Sequence, residues 1–214
     1  MTAELRLSGR AGGRRLRGRV LVGISAPASL RLEGIAPFGS PIFILAADPQ
    51  QTTLLLPRDN RVLTGEPPDA VLEALAGIKL GPSDLLALLT ACVTQNTRPI
   101  AGRDYGRMAA IDLQDGTLWL RKRESTWRVW AGARNGLTVE YDTVAGLYPP
   151  RVRIRTDRAG KDSGTDILLG LSQVETNVAL GPDAFTVTVP VGAVPLRLDE
   201  LRDTGPLGEG SGPS

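Results

Sequence analysis

Apolar residues fall at every second position over much of the chain. Leu5 and Leu7 alternate with Glu4, Arg6 and Ser8, and Val20, Val22 and Ile24 with Arg19, Leu21 and Gly23. Leu30 and Leu32, Val152 and Ile154, and Ile167, Leu169 and Leu171 repeat the pattern, as do Phe185, Val187, Val189 and Val191 with Thr186 and Thr188 between them. A period of two places alternate side chains on opposite faces of a strand, so the chain predicts antiparallel strands with one dry and one wet face. Two segments, PIFILAA (41–47) and TTLLLP (52–57), are apolar at nearly every position and predict segments covered on both faces or lying where the sheet meets another element. Gly12-Gly13, Ala26-Pro27, Asp48-Pro49, Arg58-Asp59-Asn60, Asp115-Gly116 and Asn135-Gly136 punctuate the runs where hairpin turns are needed. The spacing predicts about twelve or thirteen short strands without internal repeat.

Two helices interrupt the strands. One opens at Pro67-Pro68-Asp69, carries Val71, Leu72 and Leu75 on one side, and stops near Gly77. The other opens at Pro82-Ser83-Asp84 and runs into LLALLTACV, apolar almost all round, which predicts cover on all sides. TQNTRPIAGRDYG (94–106) and DRAGKDSGTD (157–166) read as loops, 1–202 as a single domain, and 203–214 as a disordered tail.

Composition narrows the chemistry. The chain has 214 residues, 42% hydrophobic but only 4% aromatic, so its apolar mass is aliphatic. That and a formal charge of +2 argue against nucleic acid as a partner. There is no histidine, which removes Ser-His-Asp and Cys-His nucleophiles and imidazole metal sites. Cys92, the single cysteine, lies in the apolar run and is expected to be a buried, inert thiol. The neighbouring carboxylates Asp104, Asp112 and Asp115, and Asp199, Glu200 and Asp203, have no spacing that defines an acid–base pair. No catalytic residue, metal site or cofactor is read, and the chain is not expected to be an enzyme. No segment approaches the roughly 18 consecutive apolar residues of a transmembrane helix, and MTAELRLSGRAGG has no apolar core of a signal peptide. Three basic clusters, Arg14/Arg15/Arg17/Arg19, Arg121/Lys122/Arg123 and Arg151/Arg153/Arg155, read first as solvated outer strand faces and second as surfaces for anionic headgroups or a partner.

Many strands sharing an aliphatic face, with apolar helices inserted mid-chain, describe either a solid core or a sheet plugged by helices over an aliphatic cavity. Residues 28–93 bear on that choice. ASLRLEGIAPFGSPIFILAAD, TTLLLPRDNRVLTGEPPDAVLEAL and GIKLGPSDLLALLTACV, with Pro37-Phe38-Gly39 ending an early strand, resemble the bacterial lipoprotein-localisation (Lol) factors, the periplasmic carrier and outer-membrane receptor of lipoproteins. FTVTVPVGAVPLRLDELR (185–202) is similar to the closing segment of that family. The resemblance implies a mainly β fold, a half-open antiparallel barrel with a helical lid. It implies non-catalytic binding of lipid or lipoprotein acyl chains in an apolar cavity, a transfer partner at the inner or outer membrane, and a place in the periplasm or on the periplasmic face of the outer membrane. The expected lining is Leu30, Leu32, Phe43, Leu45, Leu54 and Leu56 from strands and Leu72, Leu75, Leu85, Leu88 and Leu89 from the lid. The alternatives are a structural or interaction β-domain of a cell-envelope complex with a solid core and no ligand, and a hydrolase working through carboxylates alone.

Overall fold

The computed structural model describes residues 1–92, 97–142, 148–156, 164–204 and 207. A single sheet dominates. Six strands, β1 (Thr2–Ala11), β2 (Arg14–Ser25), β3 (Ser29–Ile35), β4 (Ile44–Ala47), β5 (Thr52–Leu56) and β6 (Arg61–Thr64), follow one another as a meander. Two helices, α1 (Pro68–Ala76) and α2 (Pro82–Thr90), come next. A second meander runs through β7 (Pro99–Asp104), β8 (Met108–Leu113), β9 (Gly116–Arg123), β10 (Thr126–Arg134), β11 (Leu137–Tyr141), β12 (Arg151–Thr156) and β13 (Thr165–Glu175). It returns to the start of the chain, pairing β13 antiparallel with β1 in the register Leu5↔Leu171 and Leu7↔Leu169. The two meanders thus become one open, curled antiparallel sheet with β1 and β13 at its middle.

Strand alternation decides which face is covered. Leu5, Leu7, Val20, Val22, Ile24, Leu30, Leu32, Val152, Ile154, Ile167 and Leu169 are all buried on the concave side. The helices lie there, with Val71, Leu75, Leu85, Leu88 and Leu89 buried in the same core. Pro68 opens α1, where its missing N–H costs nothing, and Gly77 ends it at φ 70°. Pro82 opens α2, and the Gly81 N–H donates to the Asp84 carboxylate (3.3 Å). Asn135 and Gly136, at φ 50° and 74°, make the mirror-image turn that a two-residue hairpin requires.

After β13 the chain crosses the convex face. A single 3₁₀ turn, Pro182–Phe185, packs on β3 and β4 with Phe185 buried, and Arg31 donates to the carbonyls of Ala184 (3.2 Å) and Thr186 (2.8 Å). This strap explains why Ala46 is dry on the side away from the helices. The chain then reaches the far edge as β14 (Val194–Pro195), parallel to β6, and closes with α3 (Leu198–Thr204) against α1.

Several sequence-based expectations change. Fourteen strands form among the described residues, against the twelve or thirteen expected. Residues 185–191 are not a strand: both edges of β13 are occupied by β1 and β12, and Phe185 anchors the strap instead. Part of the loop expected at 94–106 is β7, while 94–96 lie outside the described residues. Residues 165–166 of the other expected loop belong to β13, and 157–163 lie outside the described residues. α3 was not foreseen; it runs through Asp203 to Thr204, and Leu207 is buried in the core, so the tail expected from 203 does not start there, and 205–206 and 208–214 lie outside the described residues. Cys92 is exposed, because α2 stops at Thr90 and Ala91 turns left-handed (φ 56°). α2 is not covered all round either: Leu85, Leu88 and Leu89 are buried, while Leu86 and Ala87 are half-buried.

The outer face is held by ion pairs. Arg153 meets Asp166 through two bonds (2.8 and 2.7 Å), Arg155 meets Glu140 (2.8 Å), and Arg19 meets Glu4 (2.7 Å). Hydrogen bonds from Arg153 and Arg19 hold the Asp166 and Glu4 carboxyls below their usual range. A carboxyl whose folded value lies below its unfolded one stabilises the fold above the unfolded value, and this is lost as pH falls through the folded value. With no histidine to titrate, the melting temperature is expected to stay flat from about pH 5 to 7 and to fall below about pH 4. Thermal melts across that range check it; a transition near pH 6 would contradict it.

Candidate functional site

The concave face is not filled evenly. Under α1 the packing is tight. Leu32, Phe43, Leu72, Leu75 and Leu85 line a void of about 80 Å³, together with Leu5, Val20, Ile154 and Ile167. That is room for little more than a few atoms. Leu30, Leu45, Leu54, Leu56 and Leu89, between 0% and 4% exposed, are core and border neither this void nor the larger cleft beside α2. Of the ten leucines and one phenylalanine named from the sequence, only Leu88 borders that larger space.

That space is a cleft of about 430 Å³ between the α1–α2 connection, α2 and the strands β8–β11. It falls within the roughly 300–1,000 Å³ of small-molecule sites. Its walls are Leu80, Ala87 and Leu88 on the helical side, and Leu113, Leu118, Gly132, Leu137 and Val139 on the sheet. Strand register explains the grouping. Gly132 pairs with Leu118 on one side and Val139 on the other, so these residues stand in one row on the concave face. Gly132 presents no side chain, which leaves the row hollow at its centre; a Cβ there would come within 3.2 Å of Leu118.

The mouth is polar. Lys79, Asp84, Arg134 and Asn135 border it. Lys79 is paired with Asp69 (3.7 Å), and Arg134 with Asp115 (2.5 Å). Ile78 and Leu80 border both the cleft and the small void, so these two side chains form the partition between them. Another recess, of about 420 Å³, lies on the convex face, but Arg31, Glu33 and Glu175 line it and make it a poor match for an aliphatic ligand.

Tyr141 is the polar group within the apolar wall. It is 7% exposed, and its hydroxyl has no hydrogen-bond partner among the described residues. Burial pushes its phenol well above the usual range, so it stays protonated and can only be a neutral donor or acceptor. An orphaned buried hydroxyl costs about 1–3 kcal/mol. Tyr141→Phe is therefore expected to raise the unfolding free energy by about 1 kcal/mol, measured by urea denaturation; a loss of that size would mean the hydroxyl is satisfied in solution.

No group of three or more His, Cys, Asp or Glu is placed to hold a metal ion among the described residues. Of the six carboxylates singled out in the sequence, Asp112, Asp115, Asp199 and Glu200 are engaged by arginines or hydroxyls, and Asp104 accepts from the Gly106 N–H (2.7 Å). Asp112 accepts from Arg103 (2.6 Å) and Thr117 (3.2 Å), Asp115 from Thr97 (2.8 Å), and Asp199 from Arg197 (3.0 Å). No described helix is long and apolar enough to cross a membrane.

The sequence reading missed the β8–β11 wall. A signal was present: Leu118 alternates with Thr117 and Trp119, and Leu137 and Val139 with Thr138 and Glu140, around the Asn135-Gly136 turn.

An open, curled antiparallel sheet carrying helices on its concave face is the LolA-like architecture. Among solved structures, the chain is similar to the LolA superfamily protein NE2245 from Nitrosomonas europaea, with a TM-score of 0.57 and 12% identity, over 87% of this chain and 89% of that one. No family model matches the sequence, and no curated protein does. The likeness is therefore one of fold.

Proposed function

We propose that the chain is a non-catalytic carrier of acyl lipids, or of the acyl chains of lipoproteins, and that it holds them in the cleft between α2 and β8–β11. The observation that supports this most is the cleft itself, about 430 Å³ with aliphatic walls and a charged mouth. Such a site suits an amphiphile whose chain lies against Leu88, Leu118, Leu137 and Val139 while its polar end stays at Lys79, Arg134 and Asn135. Each buried methylene contributes about 0.8 kcal/mol, and the cost of association removes part of the sum. Ten methylenes would give about 8 kcal/mol before those costs, the equivalent of a micromolar constant, so net micromolar binding needs a longer chain or contacts at the polar mouth as well. A role in lipoprotein transfer at the periplasmic side of the outer membrane belongs to the same reading and draws on the shared fold.

The eleven residues expected from the resemblance divide under this proposal. Leu88 contacts ligand. Leu32, Phe43, Leu72, Leu75 and Leu85 would do so only if Ile78 and Leu80 moved aside and joined the small void to the cleft.

Native mass spectrometry of the gently purified protein, followed by solvent extraction, tests the proposal. A bound acylated species that leaves on denaturation is expected. A clean unliganded mass, with no uptake of added palmitate or monopalmitoylglycerol, would overturn it in favour of an interaction domain.

A further inference from the structure

The three basic clusters of the sequence have different fates. Arg151, Arg153 and Arg155 are ion-paired with Asp142, Asp166 and Glu140. In the first cluster, Arg14 donates to the carbonyls of Arg202 (2.7 Å) and Asp203 (2.6 Å), and Arg19 meets Glu4. The cluster at Arg121, Lys122 and Arg123 is set apart. It lies on a pair of hairpins that leave the body of the protein. Residues 98–108 around the β7–β8 turn and residues 121–128 around the β9–β10 turn are exposed at every position. Both turns are at the same end of the sheet, where Met108 pairs with Arg121 and the Lys122 N–H donates to the Arg107 carbonyl (2.9 Å).

Charge concentrates there. These two segments contain seven Lys and Arg against two Asp and Glu, a formal +5 on a chain whose total is +2, so the rest of the protein is net negative. Apolar and aromatic side chains stand among the cations. Ile100 is 68% exposed, Tyr105 64%, and Met108 and Trp127 37% each. Arg121 lies over the Trp130 ring (4.8 Å to its centre) and Lys122 over Trp127 (5.8 Å). Cations beside amphipathic rings and a few apolar tips match the headgroup layer of an anionic bilayer, where the charges meet phosphates and the rings sit at the boundary. The strands that carry the tip also wall the cleft: Leu113 on β8, Leu118 on β9 and Gly132 on β10 line it.

We propose that the paired hairpin tips, 98–108 and 121–128, dock the protein on an anionic membrane surface. The negative remainder of the chain turns the basic end toward that surface, with the cleft at the other end of the same strands.

Flotation of the intact protein with vesicles tests this. Vesicles of phosphatidylcholine with added phosphatidylglycerol are expected to carry the protein, pure phosphatidylcholine vesicles to leave it free, and high salt to release it. Combining Arg121→Gln, Lys122→Gln and Arg123→Gln should lower partitioning on the order of 100-fold, and Trp127→Ala alone about tenfold. All four positions are exposed, and unchanged melting curves should accompany the loss. Removing three charges elsewhere, Arg6→Gln, Arg10→Gln and Arg17→Gln, should cost far less. Equal binding to neutral vesicles, an equal loss in that second triple variant, or tighter binding to single-stranded oligothymidylate than to anionic vesicles would each overturn the proposal.

Discussion

Leu89→Ala is expected to lower the unfolding free energy by about 3–4 kcal/mol, and Leu89→Glu to prevent folding. Leu89 is fully buried on α2 within the main core, where leucine-to-alanine changes cost about 2–5 kcal/mol. The upper half of that range applies for two reasons. The packing beneath the helices leaves only about 80 Å³ free, so the site has little slack with which to collapse around the missing atoms. α2 itself has nine residues, too few to hold its shape without tertiary contacts. A carboxylate at the same place would be unpaired and dry, a cost of the same order as the whole stability of a domain. Leu88→Ala, one residue earlier, should cost less, because Leu88 already borders the cleft and water can fill what the side chain leaves. Urea denaturation of the two alanine variants measures the difference. A Leu89→Ala cost below about 1 kcal/mol would mean that α2 is not seated as a core element.

That contrast also shows how the site was legible and where it was not. Strands β1, β2, β3, β12 and β13 follow directly from their alternation, because each has one face against the helices and one in water. β7 leaves no such trace: PIAGRD is exposed at all six positions, so burial imposes no period on it. Phe185 to Val191 has the right period and still forms no strand, since strand formation needs a free neighbouring edge, which a local pattern cannot supply. For the site, apolarity points to the most buried leucines, and those are buried because no space adjoins them. A binding wall is marked as much by small residues, here Gly132 and Ala87, as by large ones. Residues 28–93 and 185–202, which carry the resemblance, contain the helices and β3–β6 but none of β8–β11, so half of the cleft lay outside it.

Filling the cleft from the helix side separates a binding site from a core. Ala87 is half-buried on α2 and faces the cleft beside Leu88. A phenyl ring at 87 would occupy space that an acyl chain needs. The change costs a few tenths to half a kcal/mol in helix propensity, offset by the apolar area the ring buries against Leu118 and Val139. Stability is therefore expected to stay within about 1 kcal/mol of the unaltered chain. Binding should not: excluding about four methylenes at 0.8 kcal/mol each weakens an acyl ligand on the order of 100-fold. Competition against a fluorescent fatty acid, with Leu72→Met at the small void as the control, reads both effects together. Leu72→Met keeps volume nearly constant and should leave affinity within about threefold. If Ala87→Phe binds as tightly as the unaltered chain while Leu72→Met binds poorly, the acyl chain lies under α1. The void there would then have to open in solution by displacement of Ile78 and Leu80. If both variants bind normally, the ligand sits on neither side of that partition, and the concave face is only a core.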